Sequence, residues 1–472
     1  MSITSMTFLF IFLPIALAIY YFVDSKVKEV ILLILGLFFY AIGSAEYIIL
    51  FSFTLLLTVL IARWISNCPD KSKKQKSLLF CGIVLNTGLL VYYKYTSFLL
   101  SAWDNLSSKE MQIKNIALPL GISFFTFKSI SYLIDVYNQK AVLAENPLHD
   151  ALYLSFFAQI QSGPLSRYND MALEGKRKFD FDLFSEGVYR FLIGFNKKIL
   201  IANVLSNITS EIFNAPFENF STAYAWLGAI SYSLQLFFDF SGYSDMAIGM
   251  TEMFGYKCPE NFNYPYITDS VAKFWRRWHI TLSEWFRDYI YIPLGGSRNN
   301  NNWRVYFNLF IVWLLTGIWH GPTWNFVVWG LGYFAAISLE RLFNLPGRLK
   351  SKPEKIIYRV LVLLFINFQW VLFNSTSLIS GLRFIKRMIL PYTNELADMR
   401  TLFLIKDYRF FLIIAIVLCT PIIPKIGCKL ENSRIAYIIY EILISLIIVG
   451  AFVWSISFVV AGQNNPFTYA NF

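Results

Sequence analysis

The stretch Leu315-Thr316-Gly317-Ile318-Trp319-His320-Gly321-Pro322-Thr323-Trp324-Asn325 decides how this chain is read. Apolar runs flank it, Val305–Leu315 before and Phe326–Ile337 after. Together they predict two membrane helices broken by Gly317, Gly321 and Pro322. A break at membrane depth is tolerated only where the backbone is buried in protein or lines a cavity. The break carries His320, one of three histidines among 472 residues. An ionisable group there is a functional-site candidate by default. Burial disfavours the imidazolium, so His320 is expected to be neutral and able to accept a proton. Trp319 and Trp324 are expected to supply flat walls beside it. The plainer alternative is a histidine that only bonds a neighbouring helix.

The rest of the composition agrees with a membrane setting. Hydrophobic residues make up 56% and charged residues 15%, with a mean hydropathy of +0.50. Soluble domains carry about 25% charged residues. Apolar runs of spanning length recur, and the roughly ten-residue alternating segments of a β-barrel do not appear. The chain is therefore expected to be all-α: a polytopic membrane helical bundle of about 11 to 13 helices, including re-entrant and interfacial elements, in one membrane-embedded domain over 1–472. The net charge of +11 fits Lys and Arg gathered in cytoplasmic loops. It also suits an anionic acyl donor or an acidic carrier protein. The basic residues are scattered among the spans, which argues against nucleic acid as a partner. Cys68, Cys81, Cys258, Cys419 and Cys428 show neither metal spacing nor a disulfide framework. No metal site is expected.

Along the chain, spans are expected at Met6–Val23, Glu29–Ile42, Tyr47–Ile65 and Leu78–Leu99. The first is taken as a retained span, because a signal peptide would need positive charge ahead of it. The Lys26/Lys28 turn and the Lys71/Lys73/Lys74/Lys76 turn lie two spans apart and so face one side. The positive-inside rule makes that side cytoplasmic and puts the N-terminus outside. Leu118–Val136 carries Lys128 and Asp135, so it reads as a helix packed inside the bundle. Leu152–Ile160 is short and ends at a break, and Arg167 to Lys178 reads as a basic interfacial loop. Helices follow at Glu186–Leu205 and Tyr224–Phe240. After the His320 pair comes the most basic loop, with Arg341, Arg348, Lys350, Lys352, Lys355 and Arg359. Ile356–Phe373, Phe410–Ile423 and Ala436–Ala461 read as further spans, with a mixed interfacial stretch over Leu382–Lys406.

The polar core runs from Asp239 to Arg298. Asp239 and Asp245 are expected either to orient a histidine or, as the better reading, to pair with Arg276, Arg277 or Arg287, since a buried charge needs a partner. Phe274 to Asp288 reads as one amphipathic helix, too charged to span alone. On helical spacing Arg276, His279, Ser283 and Arg287 would share one face. The tryptophans of this stretch read as interfacial anchors, and its arginines as phosphate-binding forks or snorkelling side chains. His279 is either a second catalytic or donor-positioning group or a helix-face residue bonded to a carboxylate such as Asp245. Arg276 and Arg277 are expected to lower its pKa. His149, in Asn146-Pro-Leu-His-Asp150, reads as a loop residue without a role. A buried neutral histidine suits general-base work, taking a proton from a hydroxyl whose oxygen attacks an acyl carbon.

Several motifs together resemble the membrane-bound O-acyltransferase family, and within it the alginate O-acetyltransferase type. They are Pro119-Leu-Gly-Ile-Ser-Phe-Phe-Thr-Phe127, Gly163-Pro-Leu-Ser-Arg-Tyr168, Phe238-Asp-Phe-Ser-Gly-Tyr-Ser-Asp-Met-Ala-Ile-Gly249 and Pro259-Glu-Asn-Phe-Asn263. Phe274-Trp-Arg-Arg-Trp-His-Ile-Thr-Leu-Ser283, Asp288-Tyr-Ile-Tyr-Ile-Pro-Leu-Gly-Gly296, Gly317-Ile-Trp-His-Gly321 and Asn465-Pro-Phe-Thr-Tyr469 continue the series. The likeness covers about 117–472, the motif-bearing core, whereas the N-terminal spans over 1–105 match in character only. The resemblance implies a helical bundle that moves an acyl group from a cytoplasmic thioester to a hydroxyl. His320 corresponds to the family's invariant histidine and His279 to its second conserved one. Asp239, Asp245, Arg276, Arg277, Trp319 and Asn325 would then support the site or touch substrate. No bound cofactor is expected, acetyl-CoA or an acyl carrier thioester being the donor substrate. The implied partner is an extracytoplasmic SGNH-type acetyltransferase or esterase, with a cell-surface polysaccharide (alginate-like exopolysaccharide or peptidoglycan) as acceptor, in a bacterial cytoplasmic membrane. The rival readings are D-alanyl transfer to teichoic acid and a non-enzymatic polysaccharide transporter.

Overall fold

The computed structural model describes residues 1–107, 116–141, 143–171, 179–217, 221–297, 302–390, 396–462 and Phe467. Arg298, the end of the Arg167–Lys178 loop and most of the Asn465–Tyr469 motif lie outside them. Among the described residues every regular element is helical. Five helices among the described residues are long and apolar enough to cross a membrane: Ala45–Ser66, Lys73–Trp103, Trp324–Arg348, Lys352–Asn374 and Arg434–Val460. The last leaves Ile438, Ile442, Leu446 and Val453 exposed along its length, an apolar surface suited to lipid rather than water.

The chain divides into two compact units, the first comprising Met1–Phe191 with Ser244–Glu260, the second Leu192–Tyr243 with Asn261–Thr468. In the first unit, the stretch expected to pack inside the bundle does so: the helix Ile122–Tyr137 is buried at every residue from Ile122 to Leu133. Gly121 starts it at φ +67°, where a side chain would run into the backbone of Ile160. Lys128 buries its ammonium against Tyr153 O at 2.8 Å and Gln159 Oε1 at 3.2 Å. His149 is not on a loop. It lies in the helix Pro147–Ser155, capped by Asn146, and its Nε2 meets Glu29 Oε2 at 2.8 Å. The proline at the first helical position explains the difference, since its fixed φ starts a helix as readily as it ends one.

Two helices run further than their composition suggests. The one expected over Tyr224–Phe240 extends from Thr222 to Met253, so Asp239 and Asp245 sit on continuous helix. The one expected over Glu186–Leu205 begins at Phe181, widens into a π-helical turn at Lys197–Ala202 and ends at Asn214. Polar residues did not stop either helix, because each buried charge has a partner on a neighbouring one. The span expected over Phe410–Ile423 belongs to a bent pair, Met399–Leu418 and Ile422–Leu430, at 60° to each other. Pro421 sits at the bend, as expected of a residue that cannot continue the backbone ladder.

The largest departure concerns Phe274–Asp288. It is not one amphipathic helix. A short helix Val271–Trp275 ends in a turn, His279 takes a left-handed conformation, and a second helix Ile280–Phe286 begins, followed by a π-helical turn to Tyr291. The break is enforced from outside the stretch. Asn263 N donates to Arg277 O at 2.9 Å and Ile280 N to Asn261 O at 3.0 Å, pulling the backbone out of its own ladder. Arg276 and Arg287 are exposed whereas His279 is fully buried, so they share no face. Trp275, Trp278 and Trp285 are buried as well, which removes them as interfacial anchors. The aromatic side chains that a membrane surface would take are here used to fill a core.

Candidate active site

The second unit holds both histidines of interest. Asn302–His320 and Trp324–Phe343 form a hairpin broken at Gly321–Thr323. Its two backbones touch: a methyl on Gly317 would sit 2.5 Å from Phe326 O, and one on Gly330 would collide with Trp313 O. Close approach by glycine is a general way of packing membrane helices. His320 closes the first helix, is 2% exposed, and lies within an aromatic box. Ring centroids of Trp319 and Trp329 are each 4.8 Å away, and that of Phe373 is 5.2 Å away. Trp319 is thus the wall that was expected, but Trp324 is 63% exposed and is not one. Asn325 Nδ2 donates to Leu372 O at 3.2 Å and Ser375 O at 2.9 Å. It ties the hairpin to the helix Lys352–Asn374, which supplies Phe373.

His279 also contacts Trp319, with ring centroids 6.4 Å apart. The segment that delivers it is anchored twice. Buried Glu340 accepts from Val271 N at 2.6 Å, from Ala272 N at 3.0 Å and from Tyr358 Oη at 2.6 Å. A carboxylate on the first amides of a helix satisfies donors that the helix itself leaves open. Trp275 then packs edge-on against Trp313, Trp329 and Tyr333, and Trp278 against Trp370 at 4.8 Å. At the histidine, Nδ1 lies 3.0 Å from Asn261 Oδ1 and the ring stands edge-on to Phe240 at 4.6 Å. Burial pushes the imidazole down to about 3, so it is neutral at physiological pH. Desolvation is the cause, rather than the neighbouring arginines.

Asp239 and Asp245 do form ion pairs, but with other partners than those expected. Asp239 accepts from Lys198 Nζ, both side chains being 2% exposed, and Lys198 also lies 4.6 Å above the ring of Phe467. Asp245, in the first unit, accepts from Arg190 Nε at 2.7 Å, and Arg190 grips Glu260 with its two remaining nitrogens at 2.8 and 2.6 Å. Arg277 Nη1 donates to Asn263 O at 3.2 Å, and Arg276 points outward. Asn261, Glu340 and Lys198 were missed. Asn261 stands inside the quoted Pro259–Asn263 run, which was the available signal. The second unit also carries a basic pocket of about 280 Å³, lined by Asp269, Lys273, Leu349, Lys352, Lys355 and Arg359 among others. Among the described residues no group of histidine, cysteine and carboxylate side chains is arranged to hold a metal.

A multi-helical membrane protein with two buried histidines beside one tryptophan has the makings of an acyl-transfer site, and comparison with known proteins gives the class. The family model for membrane-bound O-acyltransferases matches residues 34–382, and the chain belongs to that family. The match reaches into the N-terminal spans, further than the motifs alone suggested. The chain is 37% identical over 406 residues to a probable alginate O-acetylase of Pseudomonas aeruginosa, covering 84% of this chain and 77% of that one. It is 34% identical over 416 residues to a peptidoglycan O-acetyltransferase of Helicobacter pylori, covering 81% and 78%. A teichoic acid D-alanyltransferase of Bacillus subtilis is 31% identical over 307 residues, covering 62% and 74%. The protein is an acyltransferase of the membrane, crossing it several times.

Proposed function

We propose that this enzyme takes an acetyl group from a cytoplasmic thioester and passes it on for O-acetylation of a cell-surface polysaccharide, an alginate-like polymer or peptidoglycan, with His320 as general base. What carries the reading is His320 itself: a buried imidazole at a helix break, walled by rings, with a second histidine also in contact with Trp319. In the reaction His320 removes the proton of the acceptor hydroxyl, whose oxygen attacks the thioester carbonyl. The carbon–sulfur bond breaks, and the thiolate leaves with that proton as a thiol. A dry aromatic enclosure strengthens each of these electrostatic interactions and keeps water from competing as acceptor. His279 then holds one of the two reactants beside it.

Support for a phosphate-bearing donor such as acetyl-CoA comes from the basic pocket. The short helix that supplies Lys273 to it runs directly on to His279. An acyl carrier protein, with its acidic surface and phosphopantetheine arm, meets the same chemistry. The lysine-rich turns near the N-terminus support an N-terminus outside a bacterial cytoplasmic membrane. A donor inside and a glycan outside require a relay, which is the role we assign to an extracytoplasmic SGNH-type partner. The decisive experiment gives the purified protein an acetyl thioester and a hydroxyl acceptor and follows thiol release. Release by the wild type and its loss in His320→Ala is the expected result. A wild type that never consumes thioester overturns the enzyme reading in this form.

A further inference from the structure

His279 is held in a way that selects one of its two neutral forms. Asn261 is fully buried, as is His279. The same amide oxygen, Asn261 Oδ1, faces Thr281 Oγ1 at 2.9 Å, His279 Nδ1 at 3.0 Å and Thr281 N at 3.4 Å. A backbone N–H can only donate, so the Asn261 atom that meets Thr281 N is the oxygen and not the amide nitrogen. Both side-chain atoms of an amide look alike to packing, and this obligate donor settles the orientation. The imidazole nitrogen at 3.0 Å from that oxygen must then carry its hydrogen, which leaves the lone pair on Nε2. The backbone adds a second constraint. His279 sits at φ +43°, a left-handed conformation that is costly for a non-glycine residue and persists only where its surroundings over-determine it. Asn261 provides that determination too, since its carbonyl accepts from Ile280 N at 3.0 Å. One asparagine thus bonds the ring of residue 279, the amide of residue 280 and the side chain of residue 281.

We infer that Asn261 is a positioning residue for acyl transfer: it fixes His279 as the Nδ1–H tautomer and presents Nε2 as the nitrogen that accepts a hydrogen bond from a reactant. This rests on the transferase reading above. A neutral acceptor nitrogen suits a group that steadies a hydroxyl or thiol proton without taking it permanently, and it leaves net proton removal to His320. It also commits the site chemically, because a donor of hydrogen bonds is welcome at Nε2 whereas a bare carbonyl or phosphate oxygen is not. The occupant nearest His279 is therefore predicted to be the hydroxyl acceptor or the pantetheine amide rather than the acyl oxygen.

The test has two arms. Full-length protein labelled with ring ¹⁵N-histidine has three imidazoles, and the His279 pair is assigned by its disappearance in His279→Gln. The expected spectrum shows Nδ1 protonated and Nε2 bare in the wild type, and a mixture of tautomers in Asn261→Ala. In the second arm, Asn261→Asp places a carboxylate on Nδ1 and favours the imidazolium. The acid limb of the pH–rate profile should move up by at least about one pH unit, while Asn261→Ala lowers kcat by about 10²-fold with little change in KM. A wild-type spectrum with the proton on Nε2 overturns the inference. So does an Asn261→Asp profile that only falls in height, since a merely structural asparagine predicts that loss without a shift. The spectrum needs no turnover, so it stands or fails separately from the proposed reaction.

Discussion

The two histidines of the second unit are both buried, yet they are held by different means. His320 is set by shape: a helix end, three rings and a pair of glycine contacts fix where it lies. His279 is set by hydrogen bonding and a strained backbone, through Asn261. The difference separates two requirements of acyl transfer. A group that must take and return a proton needs an enclosure that excludes water. A group that must present one particular nitrogen needs a partner that chooses its tautomer.

The sharpest way to break this comparison is at His320. His320→Ala should lower acetyl transfer by about 10²–10⁴-fold, the usual contribution of a general base, while protein level in the membrane stays the same. Polymer acetyl content, with immunodetection of the protein, measures it; unchanged acetylation would remove the catalytic role from this region altogether. Next in size is the ion pair on the helix that carries Phe240 against His279. Lys198→Met leaves Asp239 buried without its cation and should cost about 3–5 kcal/mol, read as a lowered midpoint of thermal unfolding in detergent. Replacing both partners by apolar residues should recover much of the loss. No recovery would mean that the charges matter beyond their pairing. A smaller effect is expected for Gly330→Ala, where the new methyl meets Trp313 O. Overpacking of this kind costs about 1–3 kcal/mol, and it should loosen the His320 box while leaving the His279 tautomer as it was. A change in the ¹⁵N spectrum of His279 in this variant would show that the two regions are not separately held.

A pH-dependent loss of stability, absent near neutrality, follows from protonation. The His279 pKa falls from an ordinary 6.5 to about 3 in the folded protein. The native state therefore binds fewer protons than the unfolded chain between those values, and stability rises with pH across that window. The contribution is fully present above about pH 6.5 and declines as pH falls toward 3. Thermal unfolding of the wild type against His279→Gln, compared from pH 4 to 8, isolates this part from the titrating carboxylates. Parallel curves would show that the imidazole keeps its ordinary pKa in the fold.

How much of this could be read from the residues differs between the same two regions. The His320 break was legible because glycine and proline interrupt an apolar run, a local signal of known meaning. Trp319 followed from adjacency. The break at His279 was not legible, since Phe274–Asp288 has helical spacing throughout and contains no glycine or proline to stop it. Its cause, Asn261, lies 18 residues away in a run without periodicity. Partners of buried charges failed for the same reason: Asp239 finds Lys198 across 41 residues, and Asp245 finds Arg190 across 55. That each carboxylate would be paired followed from the cost of burial, but which cation it would find depended on how the helices pack.

The left-handed backbone at position 279 has one more implication, for what keeps it there. Glycine adopts that conformation without cost, so the backbone there favours the one residue that has no side chain at all. A glycine there would relieve the backbone but empty the space between Phe240 and Trp319 and remove the bond to Asn261, so the fold holds the strain in place by burying the side chain that causes it.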